Sequence, residues 1–278
     1  EVHQTLLSNN IIPDPFYGKN ELETLWVGKA DWIIKREFQF KKTQEKALLI
    51  LKNIDTVATV FINGQEVGKT DNFFARFLFD ITSVVKDGTN EIAFYFTSAE
   101  KVATERAENC STTYPSSIYP NGGKNRNFIR KPQCSFGWDW GINLQGIGIL
   151  NDVVIEQSDT GYLKSWNCIP RLVDHNWVCK LEIEYLAYKE TSLDLDFEVN
   201  ERCEKATIKV SPSENDYSFT FVIPEEDVEK WYPIGYGKQH LYPLTIKLGN
   251  HTDKRMIAFR TLVVRNETTD GGKELTIV

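Results

Sequence analysis

The chain has 278 residues, 41% of them hydrophobic and 26% charged, a composition typical of a globular protein with one large or two medium domains. Its formal net charge is −7, and it has no basic run that could follow a phosphate backbone, which argues against a nucleic-acid partner. No apolar stretch approaches the roughly 18–20 residues that cross a bilayer, so no membrane span is predicted. Four histidines without a cluster, and five cysteines without a C-x-x-C motif, predict neither a metal site nor a cofactor.

The first part of the chain is rich in predicted strands. Runs of β-branched and aromatic residues at 47–51, 56–62 and 91–96 are punctuated by turn residues about every ten positions. Asn63-Gly64 is a two-residue hairpin signal, because both residues tolerate a positive φ. This pattern favours an all-β sandwich.

The pattern breaks between residues 99 and 134, where Ser, Thr, Tyr, Pro, Asn and Gly dominate. Only 99–108 could form a helical turn or two. Long irregular segments in compact domains are usually functional or disordered. This segment leads directly into a distinctive motif, so a functional role is favoured.

That motif is Phe136-Gly137-Trp138-Asp139-Trp140-Gly141, and its central tripeptide is the W-D-W motif. Two indoles and a carboxylate suit a sugar ring, because indoles pack on its C–H face and a carboxylate accepts its hydroxyls. Trp138, Asp139 and Trp140 are therefore candidate substrate-binding residues. The alternative is two core tryptophans at alternate strand positions, with Asp139 facing solvent. The neighbouring Arg130-Lys131 pair could bind Asp139, or could be a solvated basic pair.

A second domain is predicted to begin near Gly161. Residues 177–185 and 193–199 alternate apolar and polar side chains, which is typical of half-buried antiparallel strands. About seven short strands indicate an immunoglobulin-like sandwich. Cys168 and Cys179 flank a predicted turn and could form a disulfide or remain two free thiols in neighbouring strands.

Five segments together resemble the N-terminal part of the β-mannosidases of glycoside hydrolase family 2, over nearly the whole chain. The resemblance implies an all-β fold: a jelly-roll (galactose-binding-like) sandwich at 1–160, then an immunoglobulin-like β-sandwich at 161–265. Residues 266–278 would begin the connection into a catalytic (β/α)₈ barrel that is absent from this chain. The segments that carry the resemblance are 12–21, 55–64, 130–141, 231–237 and 259–261.

By this resemblance the chain is a non-catalytic N-terminal piece of an exo-acting retaining β-mannosidase, an interpretation that its end within a predicted strand also supports. Asp139 would hydrogen-bond hydroxyls of the terminal mannose, and Trp138 and Trp140 would shape the pocket wall. The catalytic glutamate pair is expected in the barrel, so no catalytic residue is assigned here. Arg130 and Lys131 could instead pair with acids of that barrel. The implied partners are β-mannoside oligosaccharides or glycans and the protein's own barrel. The sequence departs from the family pattern at Ser135, commonly His, and at Ile142, usually Pro.

Two other classes of function remain open. A stand-alone carbohydrate-binding module would bind sugar measurably without a barrel, whereas an immunoglobulin-like interaction protein would bury Trp138 and Trp140 in its core. The family's acid/base glutamate follows an Asn, and four Asn-Glu pairs occur here, all of them expected in turns or strands. They are Asn20-Glu21, Asn90-Glu91, Asn200-Glu201 and Asn266-Glu267. The sequons at Asn109, Asn250 and Asn266 are as many as chance gives and do not decide the compartment.

Overall fold

A computed structural model describes residues 1–115, 123–199 and 202–277 of the chain. Strands predominate, and the predicted all-β class is confirmed. The chain divides into two compact units, Glu1–Ser158 and Asp159–Val278. Among the described residues, no helix is long and apolar enough to cross a membrane.

Unit 1, Glu1–Ser158, contains four short helices and eleven strands in its described part. The helices are α1 (Val2–Ser8), α2 (Asn20–Thr24), α3 (Trp26–Lys29) and α4 (Ala99–Glu108). The strands are β1 (Trp32–Phe40), β2 (Lys46–Lys52), β3 (Ile54–Asp55), β4 (Val57–Ile62), β5 (Gln65–Thr70), β6 (Arg76–Asp80), β7 (Gly88–Thr97), β8 (Phe136–Trp138), β9 (Gly141–Asn143), β10 (Gly148–Ile149) and β11 (Val154–Ser158).

The core of unit 1 lies between two antiparallel sheets, one ordered β1-β7-β4-β5 and the other β11-β2-β6. Leu49 and Leu51 of β2 share this core with Val60 of β4 and Phe94 of β7, all buried. Between β4 and β5 the chain turns at Asn63-Gly64, and both residues have positive φ. The predicted hairpin is therefore confirmed, since this two-residue turn matches the twist of the strands.

Unit 2, Asp159–Val278, forms its own sandwich from a sheet ordered β12-β13-β16 and a sheet ordered β15-β14-β17-β18. Seven strands in a three-plus-four arrangement are those of an immunoglobulin-like sandwich. The described strands of unit 2 are β12 (Gly161–Val173), β13 (Asn176–Ala187), β14 (Thr191–Val199), β15 (Arg202–Val210), β16 (Ser213–Pro224), β17 (Tyr242–Leu248), β18 (His251–Ile257), β19 (Val264–Thr269) and β20 (Gly272–Ile277).

The alternation predicted for β13 and β14 places every second residue in the core of unit 2, where Leu181, Ile183 and Leu195 are fully enclosed. Cys168 and Cys179 are both free, buried thiols, so the disulfide alternative is not what the structure contains. The hydrogen bond with Cys168, together with burial, raises the pKa of the Cys179 thiol. The Cys179 thiol is therefore neutral at physiological pH.

An isolated hairpin, β19–β20, ends the described part of unit 2. Val264 pairs with Ile277 and Asn266 with Leu275, and within 202–277 neither strand joins another sheet. The predicted connection, 266–278, includes most of the residues of this hairpin. Its last residue, Val278, lies outside the described residues.

Candidate functional site

The W-D-W motif forms a tight hairpin. Strands β8 and β9 pair Phe136 with Asn143 and Trp138 with Gly141, which leaves Asp139-Trp140 as a two-residue turn at the tip. Gly137 has a backbone φ of +92°. A glycine is thus required locally, since other residues rarely adopt this conformation.

The base of the hairpin is packed and its tip is exposed. Phe136 is fully buried, in a small core with Ala103 of α4 and Ile129. Trp138 is 40% exposed and Trp140 73% exposed, and Asp139 is also exposed. The interpretation of Trp138 and Trp140 as core residues is therefore wrong, because β8 ends at Trp138 and the chain reverses before a further inward position.

Arg126 supports the hairpin from a short 3₁₀ turn, Arg126–Phe128. Its guanidinium carbon lies 4.9 Å from the centroid of the Trp138 ring. Its Nη1 donates to the carbonyl oxygens of Gly137 at 3.0 Å and of Gln133 at 3.5 Å. Gln133 Nε2 donates back to the Arg126 carbonyl at 2.9 Å. Arg126 could not be identified from the sequence, because a contact made from an irregular segment leaves no periodic signal.

Lys131 neither pairs with Asp139 nor is solvated, so these two interpretations are wrong for it. Its Nζ lies 3.0 Å from Asp55 Oδ1 and donates to the Gly146 carbonyl at 2.8 Å. The two side chains are only 1% and 6% exposed. Burial lowers the pKa of Lys131, and the negative charge of Asp55 opposes this effect. The ion pair ties the segment before the W-D-W motif to β3, while Arg130 is exposed.

His3 of α1 is buried beside this ion pair, and its Nδ1 has no hydrogen-bond partner within the described ranges. Burial, and next the positive charge of Lys131, lower the pKa of His3 to about 4. His3 is consequently neutral at neutral pH. In the described part of the chain, no three His, Cys, Asp or Glu side chains are grouped so that they could hold a metal ion.

None of the described Asn-Glu pairs forms a catalytic arrangement. Asn20-Glu21 lies in α2, not in a turn or strand as expected, and Glu21 Oε1 accepts the backbone N–H of Asn143 at 3.0 Å. Glu91 of β7 pairs with Lys35 at the surface. Asn266-Glu267 lies in the exposed hairpin β19–β20, and Asn200-Glu201 falls outside the described residues.

Comparison with known families gives one decisive match. Residues 1–151, more than half of the chain, match the family described as glycosyl hydrolase 2 galactose-binding domain-like. The chain belongs to this family. The predicted resemblance to family 2 is thereby confirmed.

Curated relatives of this glycosyl hydrolase 2 chain extend well beyond its length. A β-mannosidase from Capra hircus is 31% identical over 99% of the chain and 33% of its own length. A probable β-mannosidase from Caenorhabditis elegans is 27% identical over 98% of the chain and 32% of its own length. The chain thus spans about a third of the curated relatives it matches.

Solved structures agree with the fold. A β-D-mannosidase from Dictyoglomus thermophilum superposes with a TM-score of 0.90 at 28% identity, over 99% of this chain and 35% of that one. The exo-chitosanase of Amycolatopsis orientalis gives a TM-score of 0.68 at 19% identity, over 99% of this chain and 31% of that one, which shows the fold alone. The described residues contain no (β/α)₈ barrel.

Proposed function

We propose that this chain is the non-catalytic N-terminal part of an exo-acting retaining β-mannosidase, which removes terminal β-D-mannose from the non-reducing ends of oligosaccharides or glycans. In it, the β8–β9 hairpin contributes Trp138, Asp139 and Trp140 to the substrate pocket. The observation that carries the proposal is the exposed W-D-W tip. It occurs in a chain that aligns over nearly its full length with curated β-mannosidases.

The chemistry of the tip fits a sugar. Two partly exposed indoles offer apolar faces for the C–H side of a pyranose, and the Asp139 carboxylate can accept hydrogen bonds from hydroxyls. An exposed hairpin tip forms at most one wall of a pocket, and tight sugar binding requires a concave site. The remaining walls, and two glutamates about 5–5.5 Å apart, would belong to the barrel of the longer protein.

The three classes of function considered from sequence are not equally supported. An immunoglobulin-like interaction protein requires buried tryptophans at the motif, which disagrees with the exposure of Trp138 and Trp140. A stand-alone carbohydrate-binding module is compatible with exposed indoles. The binding module differs from our proposal in the sugar affinity expected of this chain alone, which would be higher for a module.

The first test measures hydrolysis of a chromogenic β-mannoside by the full-length protein, by this chain alone, and by full-length Asp139→Ala and Asp152→Ala variants. We expect activity in the full-length protein and none in the chain alone. Loss of a charged hydrogen-bond partner costs roughly 1.5–3 kcal/mol, so Asp139→Ala should lower kcat/KM about 100-fold. Asp152 is an exposed carboxylate outside the hairpin, and Asp152→Ala should retain full activity.

Two results would contradict the proposal. Full activity in a folded Asp139→Ala protein would show that the hairpin is not part of the substrate pocket. An inactive wild-type full-length protein would contradict the proposed β-mannosidase activity. Calorimetric titration of this chain with mannobiose distinguishes a stand-alone binding module from the proposed part of a β-mannosidase. We expect a Kd weaker than about 1 mM from one pocket wall, and micromolar binding would favour the module.

A further inference from the structure

The Trp138 ring is supported in part from outside its own strands. Strand β8 is three residues long, and the residue paired with Trp138 is Gly141, which has no side chain to pack against it. Cross-strand side-chain packing is what normally fixes an aromatic ring on a hairpin. At this position the directly opposite residue contributes no side chain, so a contact from another element adds to the support of the ring.

Arg126 is placed to hold both the ring and the backbone beneath it. Its guanidinium lies 4.9 Å from the Trp138 ring centroid, within cation–π range. Its Nη1 donates at 3.0 Å to the carbonyl of Gly137, the residue immediately before Trp138. One rigid group thus restrains the peptide that sets the direction of the Trp138 side chain, and also contacts the ring itself.

The backbone of Arg126 is restrained in turn. Gln133 Nε2 donates to the Arg126 carbonyl at 2.9 Å, while Arg126 Nη1 donates to the Gln133 carbonyl at 3.5 Å. The two residues therefore connect the 3₁₀ turn to the start of the hairpin by hydrogen bonds in both directions. Trp138 is still 40% exposed, so this support leaves room for a ligand.

We propose that Arg126 is a positioning residue for the sugar-facing site: it fixes the orientation of Trp138 through the ring contact and the hydrogen bond to Gly137. The inference rests on the function proposed above for Trp138. The role requires arginine, because a guanidinium is planar, permanently charged and able to stack while it donates, whereas a lysine ammonium is a point charge. Arg126→Lys should therefore fail to restore the support.

The structural half of the test uses this chain labelled with 5-fluorotryptophan, which gives one ¹⁹F resonance for each of its seven tryptophans. A Trp138→Phe variant assigns the Trp138 resonance. We expect Arg126→Ala and Arg126→Lys to shift or broaden that resonance and to leave the other six unchanged. Arg106→Ala is the matched control, because Arg106 bonds the Phe128 carbonyl and Asp71 but no group of the hairpin. It should leave the Trp138 resonance in place.

The functional half measures kcat and KM of the same variants in the full-length protein. We expect Arg126→Lys to raise KM and to lower kcat/KM roughly 5- to 30-fold, with Arg106→Ala unchanged. A Trp138 resonance that does not respond to Arg126→Ala would overturn the inference whatever the activity. Normal kinetics in Arg126→Lys, alongside a strong defect in Asp139→Ala, would overturn it while leaving the proposed function standing. Normal kinetics in both Arg126→Lys and Asp139→Ala would instead contradict the proposed function, and with it the role of Arg126.

Discussion

Burial of His3 couples the stability of unit 1 to pH. Its folded pKa of about 4 lies below the ordinary value of 6.5, so between those values the unfolded chain binds a proton that the folded chain does not. The contribution of neutral His3 to the folding stability is therefore fully present above pH 6.5. It is lost progressively as the pH decreases toward 4. One such group changes the unfolding free energy by at most about 1.4 kcal/mol per pH unit.

Urea unfolding of this chain between pH 7.5 and 4.5, with His3→Gln and His175→Gln variants, checks this coupling. Because carboxylates also titrate at the acidic end, the informative quantity is the difference in unfolding free energy between variant and wild type. His3→Gln should flatten the pH dependence. His175 is exposed on unit 2, and its substitution should leave the dependence intact. Equal pH slopes in wild type and His3→Gln would contradict the assignment.

At the residue scale, chemistry-bearing side chains at the hairpin tip could be proposed from sequence, but their supports could not. A carboxylate between two indoles is unusual enough to draw attention on composition alone. Lys131 gave no such signal, because a basic pair is normally solvated and its partner Asp55 is distant in sequence. The sugar-binding role of Trp138, Asp139 and Trp140 stays a prediction until the variants are measured.

At the scale of elements, the Lys131–Asp55 pair fastens the segment that carries the hairpin to strand β3. Replacing Lys131 with Met would leave the Asp55 carboxylate buried without its cation. Removing one partner of a buried pair costs about 3–5 kcal/mol, so we expect Lys131→Met to destabilise unit 1 by that amount. Chemical denaturation followed by circular dichroism measures it.

The exposed pair of Lys35 and Glu91 provides the control, because it joins strands of the same unit with both side chains nearly half exposed. Surface pairs contribute about 0–1 kcal/mol, so Lys35→Met should change the unfolding free energy little. An Asp55→Asn, Lys131→Met double variant should recover part of the loss, since it removes the orphaned charge. A loss below about 1 kcal/mol in Lys131→Met would contradict the importance of the pair.

Most strands were predictable, because alternation and turn residues mark them directly, and the helical turn or two expected at 99–108 is helix α4. Helices α1 to α3 were not predicted. They are four to seven residues long, which is too short for a helical period of 3.6 to be visible. Their formation depends on tertiary packing, since Val2 and Leu6 of α1 are held by the core of unit 1.

At the scale of the whole molecule, hairpin β19–β20 leaves apolar side chains in solvent. Val264 and Leu275 are 58% and 68% exposed, and Ile277 is 66% exposed. Exposed apolar strands favour pairing with another copy. We expect this chain to self-associate with rising concentration, measured by sedimentation velocity, and Leu275→Lys to reduce the association.

Thr276→Lys is the matched control, because it adds the same charge at the neighbouring position, on the opposite face of β20. It should reduce association less than Leu275→Lys does. A chain that remains monomeric across the concentration range would contradict the prediction. Equal effects of the two lysines would instead indicate a general charge effect.

The two-sandwich architecture was predictable at this scale because each unit carries its own set of alternating strands. The structure divides the chain between Ser158 and Asp159, while the domain limits at 160 and 265 stay a prediction. How unit 1 would meet a catalytic domain could not be read from the sequence, because it depends on residues of the longer protein.

The two-residue turn at Asp139-Trp140 makes the reach of the hairpin adjustable in discrete steps. Adding one residue to each strand would move the tip outward by about 3.3 Å and turn it over, because successive side chains point to opposite faces. Adding two to each would restore the original face and move the tip about 6.6 Å. Paired insertions of even length are therefore the changes by which evolution, or a designer, could alter the depth of a pocket built around this tip while preserving the chemistry it presents.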